Sequence, residues 1–117
     1  MITQKKHKPM CKIWIEYEGK PLIGKGGAQI LEQIEREESI SKTAEKLGMS
    51  YRYVWSYLQK IEKTLGEPII ETYRGGKSGG GGAKLTKLGK VCWKSIDALR
   101  AIWVKFSLTK NIGRLLD

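Results

Sequence analysis

Cysteine and histidine are almost missing from this chain, and most of the chemistry they support is missing with them. Cys11 and Cys92 stand 81 positions apart, His7 is the sole imidazole, and no companion ligand lies at metal-site spacing. A structural zinc site within one chain is excluded on this pattern, and no metal site is expected. A Cys11–Cys92 disulfide is disfavoured in a reducing compartment. Neither cysteine has a base nearby in sequence, so no catalytic residue is assigned and the chain is not expected to be an enzyme. Long apolar runs are absent too. No stretch approaches the ~18 residues that span a bilayer, and Met1 to Met10 are polar and basic with no apolar run behind them. No membrane partner is expected, and the chain reads as cytoplasmic.

Negative charge is the third shortage. Lys and Arg number 22 against 12 Asp and Glu, a net +10 that points to a polyanionic partner. Between Tyr73 and Lys94 the imbalance is complete: Arg74, Lys77, Lys84, Lys87, Lys90 and Lys94 occur with no acid among them. What remains is enough for one fold. At 117 residues, about two-fifths of them hydrophobic, the chain is long enough for one core and too short for two.

Along the chain the hydrophobic period changes from two to 3.6 and back. Ile13, Ile15 and Tyr17 alternate with other residues in Lys12–Glu18, and Glu18-Gly19-Lys20-Pro21 supplies turn chemistry before Leu22 and Ile23. A strand, a tight turn and a short second strand are predicted. Ahead of them residues 1–11 form a basic arm containing Lys5, Lys6 and Lys8, either a solvated terminus or a segment lying along a phosphate backbone. From Ala28, Ile30, Leu31 and Ile34 recur at helical spacing, with Glu32, Glu35, Glu37 and Glu38 read as a solvated face, and the helix is expected to end near Ser39. Gly24-Lys25-Gly26-Gly27 only loosely matches a dinucleotide fingerprint. Gly75-Gly76-Lys77-Ser78 mimics the end of a phosphate-binding loop, but Glu71 occupies the leading-glycine position and no helix follows Ser78. No cofactor is expected.

Ser41 is placed as the cap of a short helix over Lys42–Leu47, which Gly48 stops. Ser50 caps the next helix, whose stripe of Val54, Leu58, Ile61 and Leu65 ends at Gly66 and Pro68. Small Ala44 where the helices approach, Gly48 in the turn and apolar Leu47 and Met49 meet the steric needs of a helix-turn-helix. A β-like run at Ile69–Tyr73, a glycine-rich tip and Ala83–Thr86 make a hairpin, or wing. Thr86 caps a last long helix lined by Leu88, Cys92, Ile96, Leu99, Trp103 and Phe106, with Val91, Ala98 and Ile102 in a second row. The predicted class is mainly α with a small β component: a winged helix-turn-helix with a long C-terminal dimerisation helix. Its parts are the arm, a domain over 12–108 (helix-turn-helix 40–65, wing 69–86, dimerisation helix 86–108) and a tail over 109–117.

With the core stripe turned inward, the second helix presents Ser50, Tyr51, Arg52, Tyr53, Ser56 and Lys60. Arg52 suits a bidentate contact with a guanine edge, and Ser50 or Ser56 suits a phosphate. Trp55 is assigned to the core, and Tyr51 is left open between core and groove. Arg74, Lys77 and Lys84 place positive charge on the wing, whose glycines let the backbone approach a phosphate or the minor groove. Val91, Leu99, Ile102, Trp103 and Phe106 form an apolar surface wider than one small domain covers, which predicts a homodimer. Double-stranded DNA is the expected partner. The reading is a sequence-specific regulator associated with the nucleoid; the alternatives are an architectural chromatin-type protein with little sequence preference and a protein-interaction or membrane-surface module.

The segment SISKTAEKLGMSYRYVWSYLQKIEKTLGEPIIETYRGGKSGGGGAKLTKLGK closely resembles the N-terminal DNA-binding domain of the ModE family of molybdate-responsive regulators, and more distantly that of LysR-type regulators. The marks are Ser39-Ile40-Ser41, Ala44, Gly48-Met49-Ser50-Tyr51, Trp55, the GGKSGGGGA tip, and Leu85-Thr86 followed by Gly89. The resemblance implies a winged helix that dimerises through its long helices and binds a palindromic operator. It puts Ser50, Tyr51, Arg52 and Ser56 in the major groove and the Gly75–Lys84 wing on the flanking backbone or minor groove. Members of that family carry molybdate-binding domains after this one, whereas this sequence stops at Asp117, which makes molybdate binding by this chain doubtful.

Overall fold

The computed structural model describes residues 10–74 and 81–108, so residues 1–9 of the basic arm, residues 75–80 of the wing with Lys77 among them, and the 109–117 tail lie outside the described residues. Strands β1 (Trp14–Tyr17) and β2 (Lys20–Gly24) pair antiparallel. The turn is tighter than the four residues predicted. Glu18 and Gly19 both have positive φ, 50° and 77°, the two-residue primed geometry that matches strand twist, and Lys20 and Pro21 already belong to β2. Pro21 sits opposite Glu16, next to a register shift between Ile15 and Glu16, where a residue without an N–H is tolerated.

Helix α1 (Lys25–Glu37) starts three residues before the predicted Ala28, so Gly26 and Gly27 fall inside its first turn. Gly27 is closely packed there: a Cβ would collide with the Tyr57 hydroxyl and come within 2.8 Å of Ile23 Cγ1, so those side chains would have to shift. The helix ends as predicted, at Glu38, whose left-handed φ of 53° lets its N–H donate to Ile34 O at 2.8 Å. Helix α2 (Ile40–Leu47) is capped by Ser39, not by Ser41: Ser39 Oγ accepts from Lys42 N at 3.0 Å, while Ser41 is exposed. Gly48 (φ 68°) closes it, with Met49 N donating to Ala44 O at 2.9 Å. Helix α3 (Tyr51–Leu65) follows at once, Ser50 Oγ accepting from Tyr53 N at 3.0 Å, and stops at Gly66 with φ 76°.

Strands β3 (Ile70–Tyr73) and β4 (Gly82–Leu85) form the wing, and helix α4 (Lys87–Ser107) begins at Thr86, whose Oγ1 accepts from Gly89 N at 3.2 Å. The element order and the two small sheets are those of a winged helix-turn-helix. One core joins them: Ile30, Leu31 and Ile34 of α1, Ala44 of α2, Val54, Leu58 and Ile61 of α3, Ile69 and Leu85 of the wing, and Cys92 and Ile96 of α4. Cys92 is buried and Cys11 exposed, both free thiols, and burial pushes the Cys92 thiol up from its ordinary pKa.

Two substitutions test this packing. A Cβ on Gly89 would strike the carbonyl oxygen of Ile69, a backbone atom that cannot swing aside, so Gly89→Ala is expected to lower unfolding free energy by about 2 kcal/mol in urea titration. Thr43 is fully buried, and its Oγ1 has no hydrogen-bond partner among the described residues. A same-shape apolar side chain removes that unmet polar group, so Thr43→Val is expected to raise stability by about 1 kcal/mol. A drop in midpoint for Thr43→Val would show that the hydroxyl is satisfied in solution.

Candidate nucleic-acid interface

The outer surface of α3 is set by the angles of its core stripe. Val54, Tyr57, Leu58 and Ile61 lie at helical spacing i, i+3, i+4, i+7; all but half-buried Tyr57 are fully inside. Opposite them Arg52, Ser56, Gln59 and Lys63, at i, i+4, i+7 and i+11, are exposed. Ser50, Tyr51, Tyr53 and Lys60 are exposed as well. Tyr51 is thereby resolved: 52 % exposed, it is no core residue. Trp55, expected in the core, is 38 % exposed, because position 55 is rotated 100° from Val54 and away from Ile61. The ring that turns inward is Tyr57, whose hydroxyl pKa is raised by burial and then by neighbouring Tyr53, at a ring separation of 6.3 Å. Gln59, whose amide suits an adenine edge, was missed; its place seven residues after Arg52 on the polar stripe is the signal that finds it.

The wing is anchored by two carboxylates. Tyr73 lies across Gly82, its cross-strand partner, where a Cβ would sit 2.7 Å from the ring, and its hydroxyl donates to Glu38 Oε1 at 2.7 Å. Glu38 O also accepts from Ala83 N at 3.0 Å. Glu38 was read as part of a solvated face; it instead ties both wing strands to the end of α1. The bond to its carboxylate, with some desolvation, pushes the Tyr73 phenol above its ordinary pKa, so the phenol remains a donor. On the other side Glu62 Oε2 accepts from Ile69 N at 2.8 Å and Ile70 N at 3.3 Å, fastening the approach to β3 onto α3. Glu35 departs from the solvated-face reading too: it is half-buried and accepts from Trp93 Nε1 at 3.4 Å.

These anchors bring the wing root to the N-terminal end of α3. Ser39, Ser41, Tyr51, Thr72, Tyr73 and Gly81 line one cleft of ≈ 240 Å³. Arg74 and Lys84 are exposed on the wing, with Lys84 opposite Glu71 in the strand register, an acid just outside the acid-free stretch read from the sequence. Lys60 lies on the opposite flank of α3, beside the β1–β2 hairpin. On α4, Val91, Leu99 and Ile102 are exposed, whereas Trp103 and Phe106 are half-buried with ring centroids 6.1 Å apart. Among the described residues no helix is long and apolar enough to cross a membrane.

Known proteins share this arrangement. The chain is 37 % identical over 89 residues to the transcriptional regulator ModE of Yersinia pestis, covering 75 % of this chain and 34 % of that protein. It is 29 % identical over 97 residues to the molybdenum-pterin-binding protein MopA of Rhodobacter capsulatus, covering 83 % and 34 %. It thus spans about a third of the length of the curated relatives it matches. Among solved structures, the BenM DBD in its complex with catB site 1 DNA superposes with a TM-score of 0.54 at 25 % identity, over 75 % of this chain and 92 % of that one. The family model for bacterial regulatory helix-turn-helix proteins of the lysR family matches residues 27–90, more than half of the sequence. This chain therefore belongs to the lysR family of bacterial regulatory helix-turn-helix proteins.

Proposed function

We propose that the protein is a sequence-specific DNA-binding transcription regulator that grips a palindromic operator as a homodimer, acting in the cytoplasm on the nucleoid and by binding alone. The observation that carries this reading is the shared cleft between Tyr51 at the start of α3 and Thr72, Tyr73 and Gly81 at the wing root. With the start of α3 set against the wing root, it supports a reading in which helix and wing address the same side of a duplex. In this reading Arg52, Ser56 and Gln59 meet base edges, Ser50, Tyr51 and Tyr53 flank them, and Arg74, Lys77 and Lys84 hold phosphates. Lys60, on the hairpin side, contributes to the field more than to contact.

A two-fold pair of such heads, joined through Val91, Leu99, Ile102, Trp103 and Phe106, fits half-sites about one helical turn apart, roughly 34 Å. Selection of bound genomic fragments, followed by titration against the selected and a scrambled duplex, tests it. The expected ratio of affinities is ~10³ or more at physiological salt. A ratio near one identifies an architectural binder instead.

A further inference from the structure

The β1–β2 hairpin precedes the span matched by the family model, and it builds a second concavity on the flank of α3 away from the wing. This cleft measures ≈ 480 Å³, within the ~300–1,000 Å³ range of small-molecule sites. Its walls are apolar: Trp14, Leu22 and Ile23 from the hairpin, Tyr57 and Ile61 from α3. Trp14 is 51 % exposed, an uncovered indole at the edge of a hollow. The charge around it is unbalanced. Exposed Lys12 and Lys60 both line the cleft, and neither ammonium has an acidic partner among the described residues. The one acid in the lining, Glu16, already accepts from Trp14 Nε1 at 3.0 Å.

From these features we propose that the cleft is a binding site for a small aromatic carboxylate, its flat ring held among Trp14, Leu22 and Tyr57 and its carboxylate between Lys12 and Lys60. An aliphatic anion leaves the indole uncovered, and a neutral aromatic leaves the two ammonium groups unmatched; an aromatic acid meets both. Tyr57, Lys60 and Ile61 belong to the helix that carries Arg52 and Ser56, so occupancy bears directly on that helix. This regulatory consequence rests on the DNA-binding reading, whereas the binding itself does not.

The test needs no DNA. Naphthalene-2-carboxylate and its neutral carboxamide are titrated into the ¹⁵N-labelled full chain. The carboxylate is expected to shift the Trp14 indole N–H and the Leu22 and Ile61 amides, and to bind about tenfold or more tightly than the carboxamide. Lys12→Ala with Lys60→Ala, both at exposed positions that leave the core intact, is expected to bring the carboxylate down to the carboxamide's affinity. Equal affinity of the two probes for the unsubstituted protein overturns the proposal. So do shifts centred on Leu99 and Ile102, or none at the cleft.

Discussion

Replacing Leu99 and Ile102 together by Asp is expected to give a folded monomer whose affinity for the operator is lower by about two to three orders of magnitude. The two side chains are 44 % and 65 % exposed, and α4 is held to its own domain by Cys92 and Ile96 instead, so the substitutions leave the core untouched. Covering large apolar side chains stabilises association by ~1.5–3 kcal/mol each, and a two-fold axis presents every such side chain twice. Asp at these places removes that gain and sets like charges against each other. Sedimentation reads the monomer, circular dichroism the retained fold, and titration the loss of paired half-site binding. A variant that stays dimeric moves the interface elsewhere, and a monomer with undiminished operator affinity removes the need for a dimer.

Arg52→Ala carries the second large effect. Arg52 is exposed on the outward stripe of α3, one residue past its capped start and away from the core, so its loss costs the fold little. A bidentate contact with a guanine discriminates by ~1–3 kcal/mol, roughly 5- to 150-fold. The expected outcome is a loss of that size on the operator with preference relaxed at a single base pair. Lys84→Ala, on the wing, is expected to weaken binding to every duplex alike and to lower the salt slope by about one. If Arg52→Ala loses affinity equally on operator and scrambled DNA, Arg52 is a phosphate contact and base reading passes to Ser56 and Gln59.

Trp55 is exposed where the core was expected, because position 55 is rotated 100° from Val54 and the ring at the inward position is Tyr57. Ser39 and not Ser41 caps α2, because the cap position depends on where α1 ends. That end is set by the left-handed Glu38. Helix α1 starts before the apolar period that begins at Ala28, although glycines disfavour helix interiors by about 1 kcal/mol. Gly27 lies in its first turn, where a Cβ would crowd the Tyr57 ring.

The sequence alone determined the order of elements, the capped turn around Gly48, the hairpin with its positive charge and the apolar row of α4. All of these arise from residues close along the chain, through hydrophobic period, capping side chains and glycines able to take positive φ. Only the tertiary structure decided that Tyr51 at the start of α3 meets the wing root, that Glu38 and Glu62 are anchors, and that the first hairpin hollows out a cleft against Tyr57. Those facts join residues far apart in sequence, such as Glu38 with Tyr73. Such pairs leave no periodic trace, because their meeting depends on how whole elements cross once the common core has closed.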